Sequence, residues 1–223
     1  MDAGVQLDAV FVETSVDGRA DIAALVDRAG VAGVDVWELP ATALARLTDV
    51  VHPPGVAAIA RWRSADLVAA SATSSILVLA GVADPGNAGT LLRCGEAAGF
   101  STAVFCGGAV DPTNPKCVRA SAGALFHTAI AVRDTVPEVL DELGMLGYRR
   151  VATRLSAELA YDRADLTGPI AVILGNEAHG LPADLAAVDE VVSIPLVGRS
   201  ESLNVAMAGA VVCFEALRQR RAL

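Results

Sequence analysis

The sequence predicts an α/β protein in two parts, the larger of them built on a mostly parallel sheet. Three observations carry that expectation. Short apolar runs alternate with helical patterns along the whole chain. The runs of the second half are apolar on both faces, as strands covered by helices on both sides must be. At 223 residues the chain is large enough for one big α/β domain or two modest ones. With 53% hydrophobic and 19% charged residues it can bury a core, which excludes intrinsic disorder.

In the first part, Leu7–Glu13 reads as a strand, Ala20–Ala29 as a helix, Val34–Leu39 as a strand, Ala41–Leu47 as a helix and Gly55–Trp62 as a strand. Ser64–Ser75 is rich in small polar residues and suits a linker, although Ala65–Ser71 also fits a short helix. The expected division is therefore 1–66, a linker 67–75, and 76–223. The second part reads as strand Ile76–Gly81, helix Ala88–Ala98, strand Thr102–Cys106, a loop and short helix to about Ala124, and strand Thr128–Val132. Helix Val136–Leu146, strands Arg150–Thr153, Ile170–Leu174 and Glu190–Ile194, and a closing helix Leu203–Arg221 complete it.

Composition excludes several classes. No apolar run reaches the ~18 residues of a membrane span, and the acidic start MDAGVQLDAV is unlike a signal peptide, so the cytosol is the expected compartment. Cys94, Cys106, Cys117 and Cys213 form no C-x-x-C, and His52, His127 and His179 share no close spacing. Buried thiols and no metal are expected. A net charge of −9 argues against gripping nucleic acid by bulk electrostatics, so an RNA partner would need a local patch.

Three loops stand at the C-terminal ends of expected strands, where open α/β sheets bind ligands. They are Asp84-Pro-Gly-Asn-Ala-Gly-Thr-Leu-Leu-Arg93, Leu174-Gly-Asn-Glu-Ala-His-Gly-Leu-Pro182 and Ile194-Pro-Leu-Val-Gly-Arg-Ser-Glu-Ser-Leu-Asn-Val205. None is a dinucleotide fingerprint, a P-loop or a nucleophile elbow. In the first, Asn87 suits a helix cap and Arg93 lies about two turns on; a capped helix with a surface arginine is the bland alternative. In the second, Gly175 and Gly180 permit close backbone approach around Glu177, or simply make a turn. His179 taken alone is a loop residue rather than an acid or base. In the third, capping explains one of Ser200, Ser202 and Asn204, not all three.

Order and spacing across the second half resemble the three motifs of the SpoU (TrmH-type) branch of SPOUT RNA methyltransferases: N-x-G-[TA]-hydrophobic-x-R, a glycine-and-glutamate loop before G-L, and I-P-x-x-G followed by S-L-N-V. Asp111–Gly123, with Lys116 and R-A-S-A-G, resembles the family's connecting segment, and LTDVVHPPGVAA (Leu47 through Ala58) is similar to the end of its L30e-like RNA-binding domain. The usual member has a further strand and helix before the part matching Leu7–Glu13, which are expected here to be either absent or cut off.

The resemblance implies a deep trefoil-knot methyltransferase domain and transfer of a methyl group from S-adenosylmethionine to a ribose 2′-hydroxyl of rRNA or tRNA, with rRNA preferred. It implies a homodimer built on the closing helix and the first-motif helix. It places Arg93, Asn87, Glu177, Ser202 and Asn204 in the catalytic set. Leu174, Gly175, Asn176, Gly180, Ile194, Leu196, Ser202 and Leu203 would hold the donor, and Arg93, Lys116, Arg119 and Arg199 the RNA. A guanidinium is a poor general base at neutral pH, so phosphate clamping is the favoured role for Arg93. Three rival readings remain. A catalytically silent donor-binding protein would keep the loops and change Arg93 or Asn204. An RNA-binding module resting on the first half meets its five basic against ten acidic residues through Ser75, and an oxidoreductase lacks its fingerprint.

Overall fold

The structure, a computed structural model, describes residues 4–15, 19–48, 50, 52–67, 75–181 and 187–222. The chain divides into two compact units, Met1–Arg63 and Ser64–Leu223. Most of the expected linker, 68–74, and Pro182 of the second loop lie outside the described residues.

In the first unit, β1 (Leu7–Glu13) is the centre of a three-stranded sheet, parallel to β2 (Asp35–Leu39) and antiparallel to β3 (Val56–Ala60). Period-two alternation aims Val10 and Val12 at helix α1 (Ala20–Val31), where they form a small core with Ile22 and Ala29. Helix α2 (Ala41–Leu44) is a single turn that stops short of the expected Leu47.

The second unit carries seven parallel strands in the order β6-β5-β4-β9-β7-β10-β8. In chain order these are β4 (Ser75–Ala80), β5 (Phe100–Cys106), β6 (Ala129–Val132), β7 (Arg149–Thr153), β8 (Leu159–Ala160), β9 (Ile170–Leu174) and β10 (Glu190–Ser193). Every residue of the neighbouring strands β4 and β9 is buried, which matches their unbroken apolar sequences. Ser64 and Ala65, which the expected division places at the end of the first part, instead bond to the β6 edge at Val132 and Ile130. The two-residue strand β8, which pairs with β10, has no sequence expectation behind it.

The helices are α3 (Pro85–Ala97), α4 (Pro115–Ala120), α5 (Val136–Met145) and α6 (Val205–Arg220). Helix α3 begins at Pro85 rather than the expected Ala88, because Asp84 caps it and Pro85 needs no backbone donor in the first turn. A Cβ at Gly89 would lie 2.4 Å from the Cys117 carbonyl oxygen, and one at Gly209 would lie 2.3 Å from Leu91 Cδ2. Glycine at these two points lets α3 press onto α4 and α6 onto α3, which brings the starts of α3 and α6 together.

Candidate functional site

The chain runs outward from β4 through β5 to β6, while β9 joins β4 on its other side. Strand order thus reverses between β4 and β9, the place where open α/β sheets form a crevice beyond their C-terminal ends. The first loop follows β4, the second follows β9, and the third follows β10.

Glu177 ties the first two loops together. Its carboxylate accepts hydrogen bonds from Ala83 N and Asp84 N, both at 3.2 Å, and from Asn87 Nδ2 at 3.1 Å. Burial pushes this carboxyl up, but the Asn87 side chain and the backbone amides of Glu177, Ala83 and Asp84 outweigh it and hold the group below its ordinary value. Asn87 Oδ1 in turn accepts from Asn204 Nδ2 at 2.9 Å, while Asn204 Oδ1 caps α6 by accepting from Ala206 N at 2.9 Å and Met207 N at 3.3 Å. One chain of hydrogen bonds, Glu177 to Asn87 to Asn204, therefore spans all three loops.

The expected cap role of Asn87 is corrected by this geometry. Asp84 Oδ1 accepts from Asn87 N at 2.8 Å, so the cap position is filled and the Asn87 side chain is released to bridge the loops. The cap was legible as an aspartate directly before a proline. Asp84 also meets Lys116 Nζ at 3.0 Å, and the Asn87 amide followed by this ammonium holds its carboxyl low. Lys116, expected to reach RNA, thus already has a partner. Of the third-loop candidates, Asn204 is the single cap, in keeping with the expectation that capping explains only one.

Arg93 lies in the third turn of α3, faces solvent, and makes no hydrogen bond or ion pair with a described residue. Ser202, Arg119 and Arg199 are likewise exposed and make no side-chain bond to a described residue. The structure does not join these four to the hydrogen-bonded chain; it leaves them free around it.

Two features of the second and third loops bear on what they can hold. A Cβ at Gly175 would lie 2.5 Å from the Gly180 carbonyl carbon and 2.7 Å from Leu181 N, so the second loop is folded back on itself as only glycine allows. Asn176 closes that fold: its backbone pairs with Gly180, its Nδ2 donates to Gly81 O at 2.8 Å, and its Oδ1 accepts from Ala178 N at 2.9 Å. The Asn176 side chain, expected at the donor, is thereby committed to the loop. In the third loop, the backbone of residues 194–203 makes no backbone hydrogen bond to a described residue. Its amides and carbonyls are available to a ligand such as an adenine ring.

Cys106, Cys117 and Cys213 are buried and Cys94 is partly exposed. Burial pushes the Cys106 and Cys213 thiols up to about 12, so neither is a nucleophile at neutral pH. Among the described residues no group of three or more His, Cys, Asp or Glu is placed to hold a metal ion, and no helix is long and apolar enough to cross a membrane.

The chain is 32% identical over 183 residues to the 23S rRNA (guanosine(2553)-2′-O)-methyltransferase RlmP of Bacillus subtilis (strain 168), covering 82% of this chain and 72% of that protein. It superposes on the AdoMet-bound rRNA methyltransferase from Sinorhizobium meliloti with a TM-score of 0.83 at 28% identity, over 97% of this chain and 82% of the other. With the SpoU methyltransferase AviRb from Streptomyces viridochromogenes the TM-score is 0.87 at 26% identity, over 99% of this chain and 85% of the other. Residues 74–214, which hold all three loops, match the SpoU rRNA methylase family, and the chain belongs to that family.

Proposed function

We propose that this chain, an S-adenosylmethionine-dependent RNA methyltransferase acting on a ribose 2′-hydroxyl, clamps an RNA phosphate with Arg93 and holds the methyl donor between its second and third loops. The observation that carries the reading is the Glu177–Asn87–Asn204 chain, which locks three loops into one unit beside an exposed arginine with no described partner. A bidentate guanidinium–phosphate pair would orient the ribose toward the methyl group without any proton leaving the arginine. Backbone groups around Leu174, Gly175, Gly180, Ile194, Leu196, Ser202 and Leu203 would hold the donor, which brings the methyl group already activated on a sulfonium. Glu177 and Asn87 act as positioning residues in this reading, and Asn204 both caps α6 and fixes Asn87.

The target is rRNA rather than tRNA, in keeping with the relative named for 23S rRNA. Strand β10 sits between β7 and β8 while the preceding strand β9 sits between β4 and β7, a crossing that supports a knotted path through the second and third loops. The first unit is an L30e-like RNA-docking domain. Two copies associate through α6, whose Met207 and Phe214 are about half exposed. Lys116, Arg119 and Arg199 line the RNA path, no metal takes part, and the protein works in the cytosol.

Transfer of labelled methyl from S-adenosylmethionine into separated rRNA and tRNA fractions, followed by digestion to nucleosides, tests the reading. Label in a 2′-O-methylnucleoside of rRNA is the expected result. Arg93→Ala is expected to abolish transfer while donor affinity stays within about three-fold, because the clamp touches RNA and not donor. Loss of donor binding in that variant would sink the clamping role. A silent donor-binding protein would show binding by calorimetry and no label.

A further inference from the structure

Asp84 does more than cap α3. Its Oδ1 accepts from Asn87 N at 2.8 Å, which fixes the backbone from which the Asn87 side chain reaches Glu177 and Asn204. Its own backbone N–H donates to Glu177 Oε1 at 3.2 Å, the same oxygen that accepts from Asn87 Nδ2 at 3.1 Å. Asp84 therefore sets both members of the first link in the chain that joins the loops. Its remaining oxygen, Oδ2, accepts from Lys116 Nζ at 3.0 Å.

The fold brings Lys116 to that carboxylate by a defined path. Asn114 Oδ1 caps α4 by accepting from Lys116 N at 2.9 Å, and Val110 N donates to Val82 O at 3.0 Å, tying the segment before α4 to the chain just after β4. A Cβ at Gly86 would lie 3.3 Å from Lys116 Cε and 2.8 Å from Asp84 Oδ1, so the lysine stem crosses a turn of α3 that is bare of side chain. Gly86 and Arg93 lie two turns apart on one face of the same helix, so a shift at its start is delivered to the arginine. Charge points the same way. The Asp84 and Glu177 carboxylates converge on one short stretch of backbone, where like charges disfavour each other, and the ammonium offsets this. With side chains 59% and 44% exposed, the ion pair adds little to stability. Its effect falls on the geometry of the junction.

We propose that Asp84 and Lys116 form a positioning pair for methyl transfer. Lys116 is a strut that holds Asp84, and through it the Asn87–Glu177 link and the line of Arg93, with its ammonium committed to Asp84 and not to an RNA phosphate. The inference rests on the methyltransferase reading above and sharpens it: Lys116 stands beside the RNA path without gripping it.

A double-substitution cycle on the full chain separates a strut from an RNA contact. Lys116→Met is expected to lower kcat about 10-fold, the cost of a small misplacement, while donor affinity and the KM for RNA stay within about three-fold. Asp84→Asn keeps an oxygen for the Asn87 cap and removes the charge. In that background Lys116→Met should cost less than about two-fold further. Lys116→Arg keeps the charge and the donors, and should recover most of the lost rate. The salt dependence of RNA affinity should be the same in Lys116→Met as in the wild type, because loss of a phosphate contact would lower its slope by about 1. An unchanged kcat, a loss carried by KM, a shallower salt slope, or an equal loss beside Asp84→Asn overturns the proposal and leaves the methyltransferase reading standing; an inactive wild type on every RNA fraction takes down both. Without RNA, NMR titration of the Asp84 carboxyl carbon reads the pair directly. The Asn87 amide and then Lys116 hold this carboxyl below its ordinary value, so Lys116→Met should raise it part of the way back. An unmoved carboxyl overturns the pairing.

Discussion

Asn87 shows how a side chain's local work can be misread from its sequence neighbours. Its place three residues into a Pro-Gly-Asn turn suggested a cap, yet Asp84 takes the cap and Asn87 becomes the link between Glu177 and Asn204. The motif residues were legible because their types and spacing are distinctive. Their hydrogen bonds were not, since they join residues 90 and 117 positions apart. Glu177→Gln is expected to loosen this junction, because an amide can present only one oxygen where three donors now converge. The folded-state value of Glu177 lies below its unfolded value, so its contribution is present above the ordinary glutamate range and lost as pH falls through the folded value. The melting temperature of the Gln variant should therefore be lower near pH 7 and fall less steeply on acidification than that of the wild type. Equal slopes would show that Glu177 is not under that hydrogen-bond load.

At the scale of elements, the long apolar strands and amphipathic helices were legible, and their ends less so. Strands β4 and β9 are buried throughout, and their sequences, SILVLA and IAVIL, leave no polar face to expose. Helix α5 runs Val136–Met145, close to its expected span, because Thr135 caps it and Val139, Leu140 and Leu143 recur at helical spacing on its buried side. Strand β8 was invisible because two residues carry no periodicity; it exists because β10 offers an unpaired edge. The close packing of α3 on α4 yields a test. Gly89→Ala would place a methyl 2.4 Å from the Cys117 carbonyl oxygen and 2.8 Å from Ser121 N, backbone atoms that cannot swing aside. A loss of about 1–3 kcal/mol in denaturant unfolding is expected, as for overpacked cores generally. A neutral result would mean that α4 shifts freely.

For the whole molecule, a net charge of −9 must coexist with an RNA substrate, which is why the proposed recognition rests on local arginines and not on a diffuse field. All three loops lie in the unit Ser64–Leu223. A chain cut to 64–223 is therefore expected to bind the methyl donor with affinity within about three-fold of the intact protein, by calorimetry, and to methylate RNA poorly. Undiminished methylation would remove the docking role assigned to the first unit. The sequence by itself determined the fold class, the strand–helix alternation, the order of the three loops and the residue types that carry chemistry, because periodicity, turn residues and motif spacing are local properties of a chain. Tertiary structure decided which side chains meet. Only the packing of β4 beside β9, and of α6 on α3 through Gly209, brings loops a hundred residues apart into hydrogen-bond reach and commits Glu177, Asn87 and Asn204 to one another.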